Sequence, residues 1–172
     1  MAENKIIMAW SECKFEIAPT GENDAFSSET FASIGTIKDK SSTLEPSDGE
    51  TLEAKATGGK TVAKEVQDGG FLVKTRVIEP SDELYVKLGL GEVKDTELNV
   101  KTHVVSGDWS LKVTPKNVGA TGIKAPKTSI SFKPGWSEEE GNFADIEFEI
   151  LNGAAGYWYS RFKKAAPEAP KE

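Results

Sequence analysis

Residues 51–91 read TLEAKATGGKTVAKEVQDGGFLVKTRVIEPSDELYVKLGLG, and this stretch decides the fold class. Leu52, Ala54 and Ala56 stand two apart with Thr51, Glu53, Lys55 and Thr57 between them, the period-2 pattern of a strand with one solvated face. Gly58-Gly59 then permits the positive φ angles of a tight hairpin turn. Val62, Val66, Phe71, Val73, Val77 and Ile78 carry the β-rich composition past a second turn signal, Asp68-Gly69-Gly70. The expectation is an antiparallel meander, not a βαβ unit. A short helix follows, predicted over about residues 82–88. Ser81 offers a cap hydroxyl, Asp82 and Glu83 are first-turn carboxylates, and Gly89 allows a left-handed stop after Leu88. Leu84 and Leu88, with Tyr85 adjacent, give that helix an apolar face to lay over a sheet.

Upstream, residues 5–10 and 13–18 are predicted as short strands, the second alternating Cys13, Phe15 and Ile17 with Lys14 and Glu16. A turn is expected from Pro19 to Asn23. Phe31, Ile34 and Ile37 suggest an extended segment, with Gly35 at a bulge or close approach. Residues 38–50, KDKSSTLEPSDGE, are polar except for Leu44 and contain Pro46 and Gly49, so a long functional loop is expected there. Downstream, residues 91–95 read as a turn. Leu98, Val100, Thr102 and Val104 form a predicted strand paired across Gly107-Asp108 with Trp109, Leu111 and Val113. Residues 115–126 read as a linker and residues 128–133 as a strand, with a turn opening at Pro134-Gly135 and running through Glu138-Glu139-Glu140-Gly141. Ala144, Ile146, Phe148 and Ile150 face one side of the next strand, opposite Asp145, Glu147 and Glu149. Residues 157–163 return as an aromatic strand with Trp158 and Phe162 on one face. The reading is a mainly β chain with one domain over residues 1–164 and a disordered Ala/Pro tail over residues 165–172.

Composition narrows the function. The formal charge of −7 disfavours binding to a phosphate backbone, and no basic run exceeds Arg161-Phe162-Lys163-Lys164. Cys13 is the only cysteine, so an intrachain disulfide and a cysteine metal cluster are both excluded; a buried structural thiol is expected. The apolar run at residues 6–10 is too short for a signal peptide or a membrane span, so synthesis in the cytoplasm and no membrane partner are expected.

No catalytic set emerges. His103, the sole histidine, is out of phase with Leu98 and Val100 and reads as a sheet-face residue, and no G-x-S-x-G elbow accompanies it. Gly59-Lys60-Thr61 lacks the earlier glycine and the following helix of a phosphate loop, while Gly89-Leu90-Gly91 is explained by a helix stop. Glu138, Glu139 and Glu140 lack the spacing of a calcium loop. The expectation is no enzyme, no cofactor and no metal site. Asp145, Glu147 and Glu149 form a carboxylate row, read either as the wet face of a sheet or as a wall that repels DNA. Of four tryptophans, Trp136 sits where an exposed indole is expected, which leaves open a non-enzymatic module binding a glycan or a protein.

Residues 31–37, FASIGTI, then the polar loop, the hairpin at residues 51–67 with its Gly58-Gly59-Lys60 centre, the strand at residues 71–79 and the capped helix at residues 82–88 together resemble the tail tube proteins of long-tailed bacteriophages, related in fold to the type VI secretion tube. That resemblance covers about the central third of the chain. It implies an antiparallel β-sandwich or barrel with one flanking helix, joining copies of itself into rings, commonly hexameric, that stack into a tube. DNA would be non-specific passing cargo, other tail proteins would be partners, and the product would reside in a virion tail. The same resemblance implies an inter-ring loop, for which Lys38, Lys40, Leu44, Pro46, Asp48 and Glu50 are the candidates. Lumen-facing candidates are Glu53, Lys55, Asp145, Glu147 and Glu149. The carboxy-terminal half has no evident place on the family pattern.

Overall fold

The computed structural model describes residues 12–66, 69–101, 104–153 and 156–168. The strand expected at residues 5–10, with Trp10, lies outside them, as do Gln67, Asp68, Thr102, His103 and the last four residues of the expected tail. Residues 165–168 are exposed and without regular structure.

The strands are β1 (Lys14–Pro19), β2 (Ala32–Ser33), β3 (Thr36–Ile37), β4 (Thr43–Ser47), β5 (Thr51–Lys55), β6 (Thr61–Val66) and β7 (Gly70–Ile78). After the helix α1 (Asp82–Lys87) come β8 (Gly91–Lys94), β9 (Glu97–Val100), β10 (Trp109–Thr114), β11 (Thr121–Ser137), β12 (Gly141–Ile150) and β13 (Ser160–Lys163). All described pairings are antiparallel, and the chain is mainly β with a single short α-helix among the described residues.

The main sheet runs β2-β1-β10-β11-β12-β7-β3, and it returns on itself. Its two end strands are pieces of one segment: Ala32 pairs with Ile17 of β1, Ile37 pairs with Val77 of β7, and only Ile34 and Gly35 lie between β2 and β3. Gly35 makes the closure with φ +115°, and a side chain there would press on Val77 Cγ1 at 3.1 Å. Ile34 turns inward and is buried. The result is a flattened barrel whose two walls meet at Phe15 and Phe148, stacked with ring centroids 6.2 Å apart. Around them Ile17, Val73, Leu111, Val113 and Ile146 are also fully buried, each from the inward half of a period-2 pattern.

β11 joins the walls. Its first part lies between β10 and β13, and its second part pairs with β12. The expected linker over residues 115–126 is therefore mostly strand. Pro126 stands at a register shift between Trp109 and Leu111, where the Ser110 hydroxyl donates to the Pro126 carbonyl at 2.7 Å and the Thr128 hydroxyl to that of Trp109 at 2.8 Å. A proline without an N–H is accommodated by a bulge. The turn expected at Pro134-Gly135 is likewise absent: both continue β11 and pair with Ala144 and Phe143, on a stretch whose other edge carries no described strand. The reversal occurs only at Glu138-Glu139-Glu140.

α1 forms where its caps predict. The Leu84 amide donates to the Ser81 hydroxyl at 3.3 Å, Gly89 follows with φ +74°, and Leu84, Tyr85 and Leu88 are buried against the barrel. Two expected pairings are overturned. β9 pairs with β8, not with β10, so residues 91–94 are a strand instead of a turn; β10 lies between β1 and β11. The meander fails at its second turn as well, since β6 pairs with β5 alone while β7 takes β12, β3 and β4. β4 occupies the edge of β7 that β6 would have used.

Candidate assembly surfaces

The expected loop at residues 38–50 is a turn followed by β4. Lys38 starts that turn, where its amide bonds the Arg76 carbonyl at 2.8 Å; Lys40 is exposed with φ +58°. Leu44 is half-buried against the core, opposite Val73, and Pro46 pairs with Phe71 on an edge strand that tolerates the missing donor. Cross-strand pairing thus overrides the polar composition that suggested a loop. Asp48 and Glu50 are exposed where β4 gives way to β5.

The element that leaves the barrel is the next one. β5 and β6 form a separate two-stranded ribbon, inserted in the hairpin whose last pair is Ser47 with Gly70. Every residue of β5 is exposed, as are residues 61–65 of β6; Leu52 and Val62 are 48% and 63% exposed. At the root of this arm the strands run so close that a side chain on Gly69 would overlap the Ser47 carbonyl oxygen. Glu53 lies beside Lys55 and Lys64, at 3.5 and 3.9 Å. Two of the five lumen candidates, Glu53 and Lys55, therefore lie on the arm.

The other three lie on β12. Asp145, Glu147 and Glu149 do share the outward face, but between rows from neighbouring strands: Lys133 on β11, Lys74 and Arg76 on β7. Arg76 grips Asp145 through both carboxylate oxygens at 2.6 and 2.9 Å and reaches Glu140 at 2.5 Å. Lys38 also pairs with Glu140. Lys133 meets Glu147 at 3.4 Å, and Lys74 turns to Glu45 at 3.4 Å. The hydrogen bond that Arg76 donates to Asp145 pushes the Arg76 pKa above its ordinary value, so the guanidinium stays charged. The face is a mixed lattice and not a bare acidic wall. No sequence pattern within one strand marks the Arg76 network, because its members are brought together only by register.

Trp136 lies near the end of β11, opposite Asn142, and is 78% exposed. It belongs to the β11–β12 ladder and not to the turn expected for it. Trp109 is buried and Trp158 packs edge-on against Phe71. Cys13 is buried, donating weakly to the Ser42 hydroxyl at 3.8 Å, and burial raises its thiol pKa. Among the described residues no three His, Cys, Asp or Glu side chains are grouped to hold a metal ion, and no helix is long and apolar enough to cross a membrane. Comparison with protein-family models and with curated proteins finds no match to this chain.

Proposed function

We propose that this chain is a structural subunit that assembles with copies of itself into stacked rings, a tube of the phage-tail kind through which DNA passes as unbound cargo. The observation that carries this reading is the β5–β6 arm. A two-stranded ribbon with both faces in water is marginally stable by itself, so its exposed strands and apolar side chains call for a covering surface. Other tail proteins would meet the tube at its ends, and assembly in a bacterial cytoplasm would precede incorporation in a virion. The test is the size of the purified protein over a concentration series, by light scattering coupled to size separation, with imaging of the large species. Rings or tubes with an open lumen are expected; a monomer at every concentration would count against the reading.

Trp136 favours a second reading, a non-enzymatic module that binds a glycan or a protein, because an indole 78% exposed is a ready stacking platform. That reading requires a monomer whose tryptophan fluorescence responds to an oligosaccharide or protein partner and loses the response in Trp136→Ala.

A further inference from the structure

The arm and the acidic turn between β11 and β12 occupy opposite ends of one sheet. β7 and β12 run in register from Phe71 with Ile150 to Ile78 with Phe143. The arm departs at the first end, beyond Gly70, and the turn closes beyond the second, where Ser137 faces Gly141. The seven residue steps from Phe71 to Ile78, at about 3.3 Å each, set the two ends roughly 23 Å apart. The arm of one molecule thus starts at the end remote from its own turn.

Charge is divided in the same way. Residues 55–64, KATGGKTVAK, hold three lysines and no carboxylate in a chain of net charge −7. Lys55 and Lys64 lean on Glu53, which leaves Lys60, beside the turn glycines, with no ion-pair partner among the described residues. Gly58 and Gly59 have open space where side chains would be, so the tip is narrow. At the other end Glu140 is held by Lys38 and Arg76, whereas Glu138 and Glu139 have no ion-pair partner among the described residues. Beside Glu139 opens a cleft of about 280 Å³ lined by Lys38, Arg76, Ile78, Glu139, Glu140 and Phe143. Its two cations are matched by Glu140 and by Asp145 behind them, so Glu139 leaves the cleft one charge negative. Ile78, 36% exposed, offers apolar surface for a lysine stem.

We propose that Lys60, at the tip of the arm, seats in the Glu139 cleft of a second copy of this chain. The inference rests on the self-assembly reading above and names its contact. Donor and receptor stand at opposite ends of the subunit, so the contact is head-to-tail. Each copy added keeps one free arm and one free cleft, the arrangement that closes into rings or continues as a stack.

The test compares association of the full chain with that of Lys60→Glu, of Glu139→Lys and of the double variant, by light scattering, with thermal melts to verify that each barrel folds. Each single reversal is expected to raise the concentration needed for association at least tenfold, the effect of about 1.4 kcal/mol. The double variant should recover most of the loss, because the pair is restored with its signs exchanged. Association of both single variants at the wild-type concentration overturns the contact and leaves the assembly reading standing. Loss in both with no recovery in the double variant also overturns it, since the two charges would then act on different partners. A wild-type chain that never associates overturns both.

Discussion

Two glycines of β11 do the same job for two aromatic rings. Gly122 faces Phe162 and Gly135 faces Phe143 directly across the ladder, and a Cβ on either glycine would lie 2.5 Å from the facing ring. Each ring lies down over the bare backbone and offers its face to a cation: Arg76 stands 4.2 Å from the Phe143 centroid, and Lys124 stands 5.2 Å from that of Phe162. The absence of a side chain at position 135 thus lets the Phe143 ring lie beneath the Arg76 fork, which register brings to Asp145. Alanine in place of a strand glycine ordinarily stabilises by roughly 0.5–1 kcal/mol. Here the sign reverses. Gly135→Ala must lift the Phe143 ring and overpack the site, with an expected loss of about 1–2 kcal/mol in urea unfolding. A variant as stable as the parent would show that the ring has room to move and that the stack does not fix Arg76.

Elements were legible where their signal is local. The helix reads from Ser81, Asp82 and Gly89 because caps act over one turn, and β12 reads from its alternation because one face is wet. The β5–β6 hairpin was legible too, from Gly58-Gly59 between its strands, whereas the partners of β4 and β7 were not, since they depend on which edge is already occupied, a property of the closed barrel. The candidate site suffered for the same reason. Residues 38–50 look like a projecting loop, whereas the projecting element is the hairpin after them, whose alternation is as regular as that of a packed strand. This separation of arm from barrel is testable. Replacing residues 51–65 by a short glycine-serine turn removes exposed side chains and leaves the Ser47 to Gly70 pair in place. The melting temperature is expected to stay within about 3 °C of the parent, because no fully buried core residue is lost, while self-association disappears. A truncated chain that fails to fold would make the arm part of the core. One that still assembles would remove the arm from the interface.

At the scale of the whole molecule, the proposed tube would have to let DNA pass without holding it. A single row of carboxylates on β12 is not the source of repulsion, because Asp145 and Glu147 are matched by Arg76 and Lys133. What remains is the excess of the entire chain, seven negative charges per subunit, spread over a surface on which small clusters of opposite charge neutralise one another. A surface of that net charge is a poor one for displacing counterions from a duplex, and counterion release is what drives non-specific DNA binding. Repulsion of this kind is screened beyond about 10 Å at 0.1 M salt, so inside the proposed lumen it would act only when DNA nears the wall, centring the duplex without slowing it. Assembled protein is therefore expected not to retain fluorescent duplex DNA in co-sedimentation at about 0.1 M salt, nor at lower salt, where a cationic surface would bind most strongly. Retention that weakens as salt rises would mean that assembly gathers lysines such as Lys74, Lys112 and Lys124 onto the inner wall. The acidic-lumen mechanism would then be wrong even if the tube were real.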